Sequence, residues 1–390
     1  MANGGLHPVM HAHPLINAKR QYGGMRLIID GGAASANAIN ETLALFSEWE
    51  TGAKYPVILA FADSNWPKSL SDWQPPANTF VEMRGDWLTL PVARDVLTRG
   101  NDMFWCLNGE PGTALDPELR ATLAYTVHDA ANSALPAVAL PVSTGKARVR
   151  IGISTHAEAD EAFAKGHHWV AGWPLNAVAS PAPKRRSESR SIVMRLLQLA
   201  HADADITELD AVLKQDVGLA FKLLRYINSP AAGLSVQVQS LQHAVMILGY
   251  KRLARWLSLL LMASTEDPNH IPLMRISLRR AFFMERVGVT VFDDMNHDEL
   301  FITGLFSLLD VVFGQPFVEL LKQLHLPETV ADSLSGHGEP YGPLLRLAEA
   351  IEGEDAGAIR TCAQLLGLGE RDVNRALLLA IRDADEVELG

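Results

Sequence analysis

Clustered carboxylates and histidines can hold a divalent cation that activates water. Few of the carboxylates and histidines in this sequence have the spacing of such a cluster. Glu82 stands alone in the apolar segment FVEM, and Asp310 is the single carboxylate of LFITGLFSLLDVV, which contains no histidine. His11 and His13 could face the same way in an extended segment, but a third ligand is missing near them in sequence. The segments that position these residues therefore have to be assigned before any chemistry is inferred.

Composition favours a globular protein of two or three domains. The chain has 390 residues, of which 48% are apolar and 20% charged, with a formal net charge of −11. This charge disfavours a dominant nucleic-acid or anionic-membrane surface. The start, MANGGLHPVMHAHP, lacks the pattern of a signal peptide, and the run LSLLLMA is too short to cross a bilayer. We expect a cytoplasmic protein without membrane insertion.

The first half alternates between two kinds of segment, which predicts a parallel sheet with helices on its faces. Helical spacing occurs at 35–49, 91–100, 116–135 and 156–166. Apolar runs suited to buried strands occur at 25–30, 55–62, 79–83, 102–107, 137–142 and 149–154. A complete eight-stranded α/β barrel usually needs roughly 250 residues, so the prediction for 1–180 is an α/β domain with a shortened TIM-like barrel.

A polar stretch with two prolines and four basic residues, SPAPKRRSESR, follows this half and predicts a linker at 181–190. Beyond it, helical stripes dominate, including one over 298–313. Thr207 and Asp210 have the spacing of a capping box, and Asp216 is placed to cap the helix that follows it. The prediction for 191–390 is an all-α helical bundle.

One stretch of the second half, AFKLLRYINSPAAGLSVQVQSLQHAVMILGYKRL, resembles the HDOD domain, a helical relative of the HD phosphohydrolases. Local physics explains several of the matching positions: polar side chains that bond to a helix end, a glycine that frees a loop, an N-cap and a helix-ending glycine. The matching residues are Asn228, Ser229, Pro230, Gly233, Ser240 and Gly249.

The resemblance also indicates what the second half has lost. In catalytic HD relatives, the segment similar to FITGLFSLLD carries an adjacent His-Asp pair that binds metal. Matching around Gly304 puts Ser307 and Leu308 at those positions. Leucine cannot ligate a metal, and serine is a poor ligand for the ions that such sites use. We therefore expect this helix to belong to the core.

The first half resembles the EAL domain, a barrel that hydrolyses cyclic di-GMP with metal-binding carboxylates. The closing segment EAFAKGHHWVAGWPLNAVASP carries most of the likeness. Glu82 falls where a family carboxylate is expected, and the other matched positions have been replaced. The replaced positions are Arg26, Asn108, Gly109 and Ser154. Two-metal cleavage needs several carboxylates to hold the cations, so the resemblance implies a degenerate EAL domain without metal, cofactor or catalytic residue.

Three functions follow, of which the leading one is a non-catalytic bacterial signalling or scaffold protein that binds unidentified protein partners. The alternatives are a cyclic di-GMP receptor without hydrolysis and a metal-dependent phosphohydrolase with an atypical site. In the leading interpretation, neither nucleic acid nor cyclic di-GMP is expected as a ligand. Lys251, Arg252 and Arg255 form a basic group that is either a solvated helix face or a contact for an acidic partner surface.

Overall fold

The computed structural model describes most of the chain. The described residues are 6–32, 34–49, 54–63, 65–98, 104–108, 123–129, 147–175, 188–216, 218–220, 222–223, 241–264, 267–292 and 296–387. Several predictions lie outside these ranges, including the strand at 137–142 and the greater part of the linker. The site residues outside them are Gly109, Asn228, Ser229, Pro230, Gly233 and Ser240.

The first half forms a closed barrel of eight strands, whereas the sequence predicts six strand segments. The strands lie within residues 9–171, so the barrel is short in residues, as expected. Strand β1 runs antiparallel to both of its neighbours, whereas every other adjacent pair is parallel. The strands are β1 Val9–Asn17, β2 Tyr22–Asp30, β3 Val57–Phe61, β4 Thr79–Arg84, β5 Phe104–Asn108, β6 Leu123–Asp129, β7 Ala147–Ile151 and β8 Trp169–Ala171.

Three predicted helices accompany the barrel: α1 (Ala36–Ala44), α2 (Pro91–Thr98) and α3 (His156–Ala164). Ser35 caps α1 by accepting a hydrogen bond from the amide of Ala38. The helix predicted over 116–135 was wrong where it can be compared, because β6 occupies part of it. The residues Tyr125, Thr126 and Val127 are aromatic or β-branched and favour a strand.

The second half is helical throughout its described part, as predicted. The first helix begins at Glu188, inside the predicted linker. The helices are α4 Glu188–His201, α5 Ile206–Leu213, α6 Leu241–Met262, α7 Ile271–Val291, α8 His297–Phe306, α9 Leu309–Phe313, α10 Phe317–Leu324, α11 Glu328–Gly336, α12 Gly342–Ala350, α13 Ala356–Leu365 and α14 Glu370–Glu386.

Helix caps in this half agree only in part with the sequence. Asp216 accepts a hydrogen bond from the amide of Leu219 at 2.9 Å, as expected of a cap. The capping box proposed for Thr207 was wrong, because Asp205 is the N-cap of α5 and its carboxylate accepts from the amide of Thr207. The Thr207 hydroxyl donates to the same Asp205 oxygen, so Thr207 is a partner of the N-cap and not the cap itself.

Two glycines set the geometry of the helical half. Gly249 interrupts α6 with φ 70° and ψ 164°, a conformation restricted to glycine, and thereby ends the first part of the helix as predicted. At Gly304 an added Cβ would lie 2.6 Å from the Cα of Ala281, so α8 packs on α7 at backbone contact. This close approach brings the end of α8 next to Arg280 on α7.

The two halves are packed together through β1. Alternate residues of this strand, among them Met10, Ala12 and Ile16, belong to the same buried apolar cluster as the helices, while Leu15 belongs to the cluster inside the barrel. In the described part of the chain, no helix combines the length and apolarity needed to span a bilayer.

Candidate functional site

The retained carboxylate Glu82 meets two residues from the replaced positions, Arg26 and Asn108, inside the barrel. Arg26 on β2 donates two hydrogen bonds to Glu82 on β4, from Nε to Oε2 at 2.8 Å and from Nη2 to Oε1 at 2.9 Å. Asn108 on β5 donates from Nδ2 to Oε1 at 2.6 Å. The strands are adjacent or near neighbours, and residue alternation points all three side chains to the inner face. Arg26, Glu82 and Asn108 are called the barrel triad below.

The ion pair between Arg26 and Glu82 is buried, so neither side chain has water as an alternative partner. The side chains of Arg26 and Glu82 are 8% and 3% exposed. Burial alone would lower the pKa of Arg26, but the Glu82 carboxylate outweighs it and the pKa is raised overall. Arg26 therefore keeps its charge beside Glu82, and because Glu82 accepts hydrogen bonds from Arg26 and Asn108, it is not a free ligand for a metal ion.

His13 lies beside the barrel triad, directly across the strand pair from Arg26. Desolvation, assisted by the positive charge of Arg26, lowers the pKa of His13 to about 4. The imidazole is therefore neutral at physiological pH, and its Nε2 lies 3.4 Å from the carbonyl oxygen of Gly353 in the helical half.

Ser154 does not join this group. It is exposed beyond the end of β7, where its amide and its hydroxyl both donate to Glu158 Oε2 at 2.8 Å. Glu158 and Thr155 form a capping box at the start of α3. Ser154 thus contributes to a helix N-terminus, and the structure gives it no contact with the barrel triad.

In the helical half, a second buried arginine, Arg280, contacts Ser307, one of the two replaced positions. Ser307 follows α8 and Leu308 precedes α9, so the helix expected over 298–313 is broken between them. The Ser307 hydroxyl accepts a hydrogen bond from Arg280 Nη1 at 3.0 Å and donates to the carbonyl of Gly304 at 2.7 Å. Leu308 is buried among apolar residues, in keeping with the core role expected of it.

Arg280 belongs to a network that extends to the end of α12. Its Nε and Nη2 donate to the two carboxylate oxygens of Glu352 at 2.9 and 2.5 Å, and Arg279 Nη2 donates to Oε1 of the same carboxylate at 2.7 Å. The Glu352 side chain is 6% exposed. Burial opposes its ionisation, but the two guanidinium groups lower the pKa of Glu352 overall.

The network reaches solvent through partly exposed groups. Arg280 Nη1 lies 3.4 Å from Glu349 Oε1, and Glu349 Oε2 lies 2.8 Å from His337 Nε2. Glu349 and His337 are 35% and 36% exposed at their side chains. Asp310 lies within the field of Arg280, yet burial raises its pKa.

In each half, a residue at a position matched to the families' metal sites therefore contacts a guanidinium that is paired with a carboxylate. Such a pair balances its own charge and repels a divalent cation, so the residues present do not fit a two-metal centre. Among the described residues, histidine, cysteine, aspartate and glutamate form no group of three or more that could hold a metal ion.

The three residues of the predicted basic group on α6 differ in their exposure and contacts. Lys251 and Arg252 are exposed. Arg255 instead forms a two-point ion pair with Glu285, at 2.6 and 3.0 Å, and its guanidinium carbon lies 3.5 Å from the ring centroid of Phe301. Arg255 is thus engaged within the protein, and only Lys251 and Arg252 stay candidates for partner contact.

Arg279, Arg280 and Glu352 were not identified from sequence. Two adjacent arginines in the otherwise apolar ISLRRAFFMERV could have been noticed, because a buried helix that carries charge needs a buried counter-charge. The counter-charge itself is 72 residues from Arg280, and local spacing carries no information about it.

Family comparison identifies the class of the helical half. Residues 189–325 match the HDOD domain, which confirms that an HDOD domain follows the barrel. The match ends before α11, so helices α11 to α14 lie beyond it. The EAL identity of the barrel stays a prediction.

Individual relatives cover parts of the chain. "Cyclic di-GMP phosphodiesterase CdgJ" from Vibrio cholerae is 27% identical over 202 residues, which are 52% of this chain and 47% of that protein. "Uncharacterized protein YuxH" from Bacillus subtilis is 27% identical over 173 residues, which are 44% of this chain and 41% of that protein. The chain thus matches less than half the length of each relative.

Two solved structures each cover about half of the chain. An HDOD domain protein of unknown function from Geobacter sulfurreducens covers 54% of this chain and 94% of its own, with 18% identity and a TM-score of 0.37. A standalone EAL protein from Vibrio cholerae, bound to cyclic di-GMP, covers 43% of this chain and 90% of its own, with 15% identity and a TM-score of 0.29.

Proposed function

We propose that this chain is a non-catalytic bacterial signalling protein, in which a degenerate EAL-like barrel and an HDOD domain act by binding other proteins. The HDOD match and a relative named as a cyclic di-GMP phosphodiesterase support a place in signalling. The proposal of lost catalysis has its main support in the barrel triad, where the one retained carboxylate is bound to Arg26.

The chemistry of this pair explains why hydrolysis is not expected. Phosphodiester cleavage by two metals needs carboxylates that hold the cations and orient the attacking water. Glu82 accepts three hydrogen bonds from protein donors, and Arg26 adds a positive charge where a cation would be needed. The pair is therefore not arranged to hold a cation that could lower the pKa of an attacking water.

The name of the Vibrio cholerae relative makes cyclic di-GMP the first substrate to test. We expect the purified chain, incubated with cyclic di-GMP and either Mg²⁺ or Mn²⁺, to release no linear dinucleotide above the level of a buffer blank. The double variant Arg26→Met/Glu82→Gln serves as the control for contaminating activity. Turnover by the natural chain that is absent from this variant would contradict the proposal.

Calorimetry with cyclic di-GMP distinguishes the receptor function from the scaffold function. The scaffold proposal predicts no heat of binding with or without Mg²⁺, whereas binding without turnover would identify a receptor. Metal analysis of the same preparation tests the third function, because stoichiometric Mn or Fe would indicate an atypical hydrolase.

Partner binding needs a separate experiment. We propose that Lys251 and Arg252, which are exposed beside each other on α6, contact an acidic surface of the partner. The experiment is a quantitative pull-down from the native cell with the whole chain and with Lys251→Glu/Arg252→Glu. A matched control is Lys165→Glu, which changes an exposed lysine directly after α3. The proposal requires loss of a partner in the first variant and its retention in the control.

A further inference from the structure

The edge of β1 that faces away from β2 is only partly covered by β8. Strand β8 pairs with Leu15, Ile16 and Asn17, and the amide of Gly172 donates to the carbonyl of Pro14. Toward its beginning, β1 would be left with backbone groups that have no strand partner. Such groups are costly when buried, and this part of β1 is buried.

The helical half provides the missing partners. Asn374 on α14 accepts a hydrogen bond from the amide of Met10 at 3.0 Å and donates to the carbonyl of Pro8 at 2.7 Å. The amide of Ala12 donates to the carbonyl of Ile351 at 3.0 Å, and Arg279 Nη1 donates to the carbonyl of Ala12 at 3.1 Å. The barrel wall is thus completed by residues from helices and loops more than 250 positions away.

The loop 351–355, between α12 and α13, is central to this closure and is called the latch loop. Ile351 bonds to Ala12, and the carbonyl of Gly353 lies 3.4 Å from His13 Nε2. Glu352 stands between these two contacts and is held by Arg279 and Arg280. Arg280 in turn donates to Ser307.

We infer that the latch loop couples closure of the barrel wall at β1 to the arrangement around Ser307 in the helical half. Withdrawal of the loop from β1 requires Glu352 to leave two buried guanidinium groups, and rotation of Arg280 away from Ser307 disturbs Glu352. Each half therefore biases the other through this set of contacts, and the coupling is reciprocal. This inference does not depend on the proposed loss of catalysis.

Native-state hydrogen exchange at the amide of Ala12 tests the inference in the unaltered protein. Residue-resolved exchange is measured across a series of urea concentrations too low to unfold the chain. We expect Ala12 to exchange through a local opening that depends less on urea than the exchange of Leu59 in β3 does. Exchange of both amides with the same free energy and the same urea dependence would show that the latch loop has no opening of its own.

Variants test the coupling from both ends. Glu352→Gln should accelerate exchange at Ala12 by about tenfold or more, with less than about a twofold change at Leu59, and Ser307→Ala should accelerate Ala12 in the same direction. The matched controls are Glu354→Gln, which changes an exposed carboxylate of the same loop, and Ser335→Ala, which removes an exposed hydroxyl on α11.

Three outcomes would overturn the inference. They are an unchanged Ala12 amide in Glu352→Gln, equal acceleration in Glu354→Gln, and equal acceleration at Ala12 and Leu59. An effect of Glu352→Gln without any effect of Ser307→Ala would refute the connection to the helical half. If Glu352→Gln fails to fold, the urea series on the unaltered protein and the Ser307→Ala variant still decide the question.

Discussion

Replacement of Glu82 by glutamine should destabilise the protein far more than its small change in shape suggests. Glu82 is 3% exposed and accepts two hydrogen bonds from Arg26 and one from Asn108. Glutamine offers one acceptor oxygen, so its amide nitrogen must face one of these donors, and the Arg26 charge loses its partner. Removal of one member of a buried ion pair costs about 3–5 kcal/mol, which is the loss expected for Glu82→Gln.

Urea unfolding at neutral pH, followed by circular dichroism and tryptophan fluorescence, measures this loss. The matched control is Glu161→Gln, which breaks an ion pair with Lys165 whose side chains are 62% and 66% exposed. Because solvent screens this pair, its loss should leave the stability nearly unchanged. The second comparison is Arg26→Met/Glu82→Gln, which buries no unpaired charge and should regain at least roughly half of the loss. Two results would refute the importance of the buried ion pair. They are a Glu82→Gln variant as stable as Glu161→Gln, and a double variant less stable than Glu82→Gln.

Three further changes test other parts of the structure. The His13 imidazole is neutral down to about pH 4 in the folded protein but ionises near 6.5 in the unfolded chain. The free energy of unfolding should therefore fall as the pH is lowered through this window. In urea unfolding at a series of pH values, His13→Gln should reduce the slope of this free energy against pH by about 1.4 kcal/mol per pH unit. Gly304→Ala places a methyl group 2.6 Å from the backbone of Ala281 and should cost about 1–3 kcal/mol, whereas Gly336→Ala, with open space around its Cβ, should leave the midpoint of thermal unfolding unchanged or raise it. At Gly249 an added methyl group meets no neighbouring atom, but alanine is forced to φ 70°. Gly249→Ala should therefore cost about 1–3 kcal/mol in urea unfolding, from backbone strain alone. A Gly249→Ala variant of unchanged stability would show that α6 tolerates a continuous helix there.

The barrel could be predicted from sequence because most of its strands are buried on both faces. Segments such as YPVILAFA are apolar throughout and short, and these are the features of a parallel strand. Strand β1 was missed because histidines and proline interrupt the apolar pattern of VMHAHPLIN, although its residues alternate between the barrel interior and the helices. Strand β6 was assigned to a helix because the segment around it shows helical spacing, which the tertiary context overrides.

The sequence identified individual residues of the candidate site but not their contacts with one another. Resemblance to a known family selected Arg26, Glu82 and Asn108 one at a time, and the structure joins them through hydrogen bonds. Ser154 was selected in the same way and lies elsewhere, because a serine before a helix is readily recruited to its N-terminus. The contacts of Glu352 with α7 and of Ile351 with β1 join residues far apart in sequence, and only the folded chain brings them together.

The two buried arginines have a common physical consequence. A metal ion neutralises clustered carboxylates, but it exchanges with solvent and keeps positions open for water and substrate. A guanidinium neutralises one carboxylate permanently, and the hydrogen bonds that fix it leave Glu82 and Glu352 without a coordination position. A barrel and a helical bundle built in this way hold their interior charges in balance without any added ion. In the proposed function, the two halves respond through the contacts between them, and those of the latch loop with β1 are one set of these contacts.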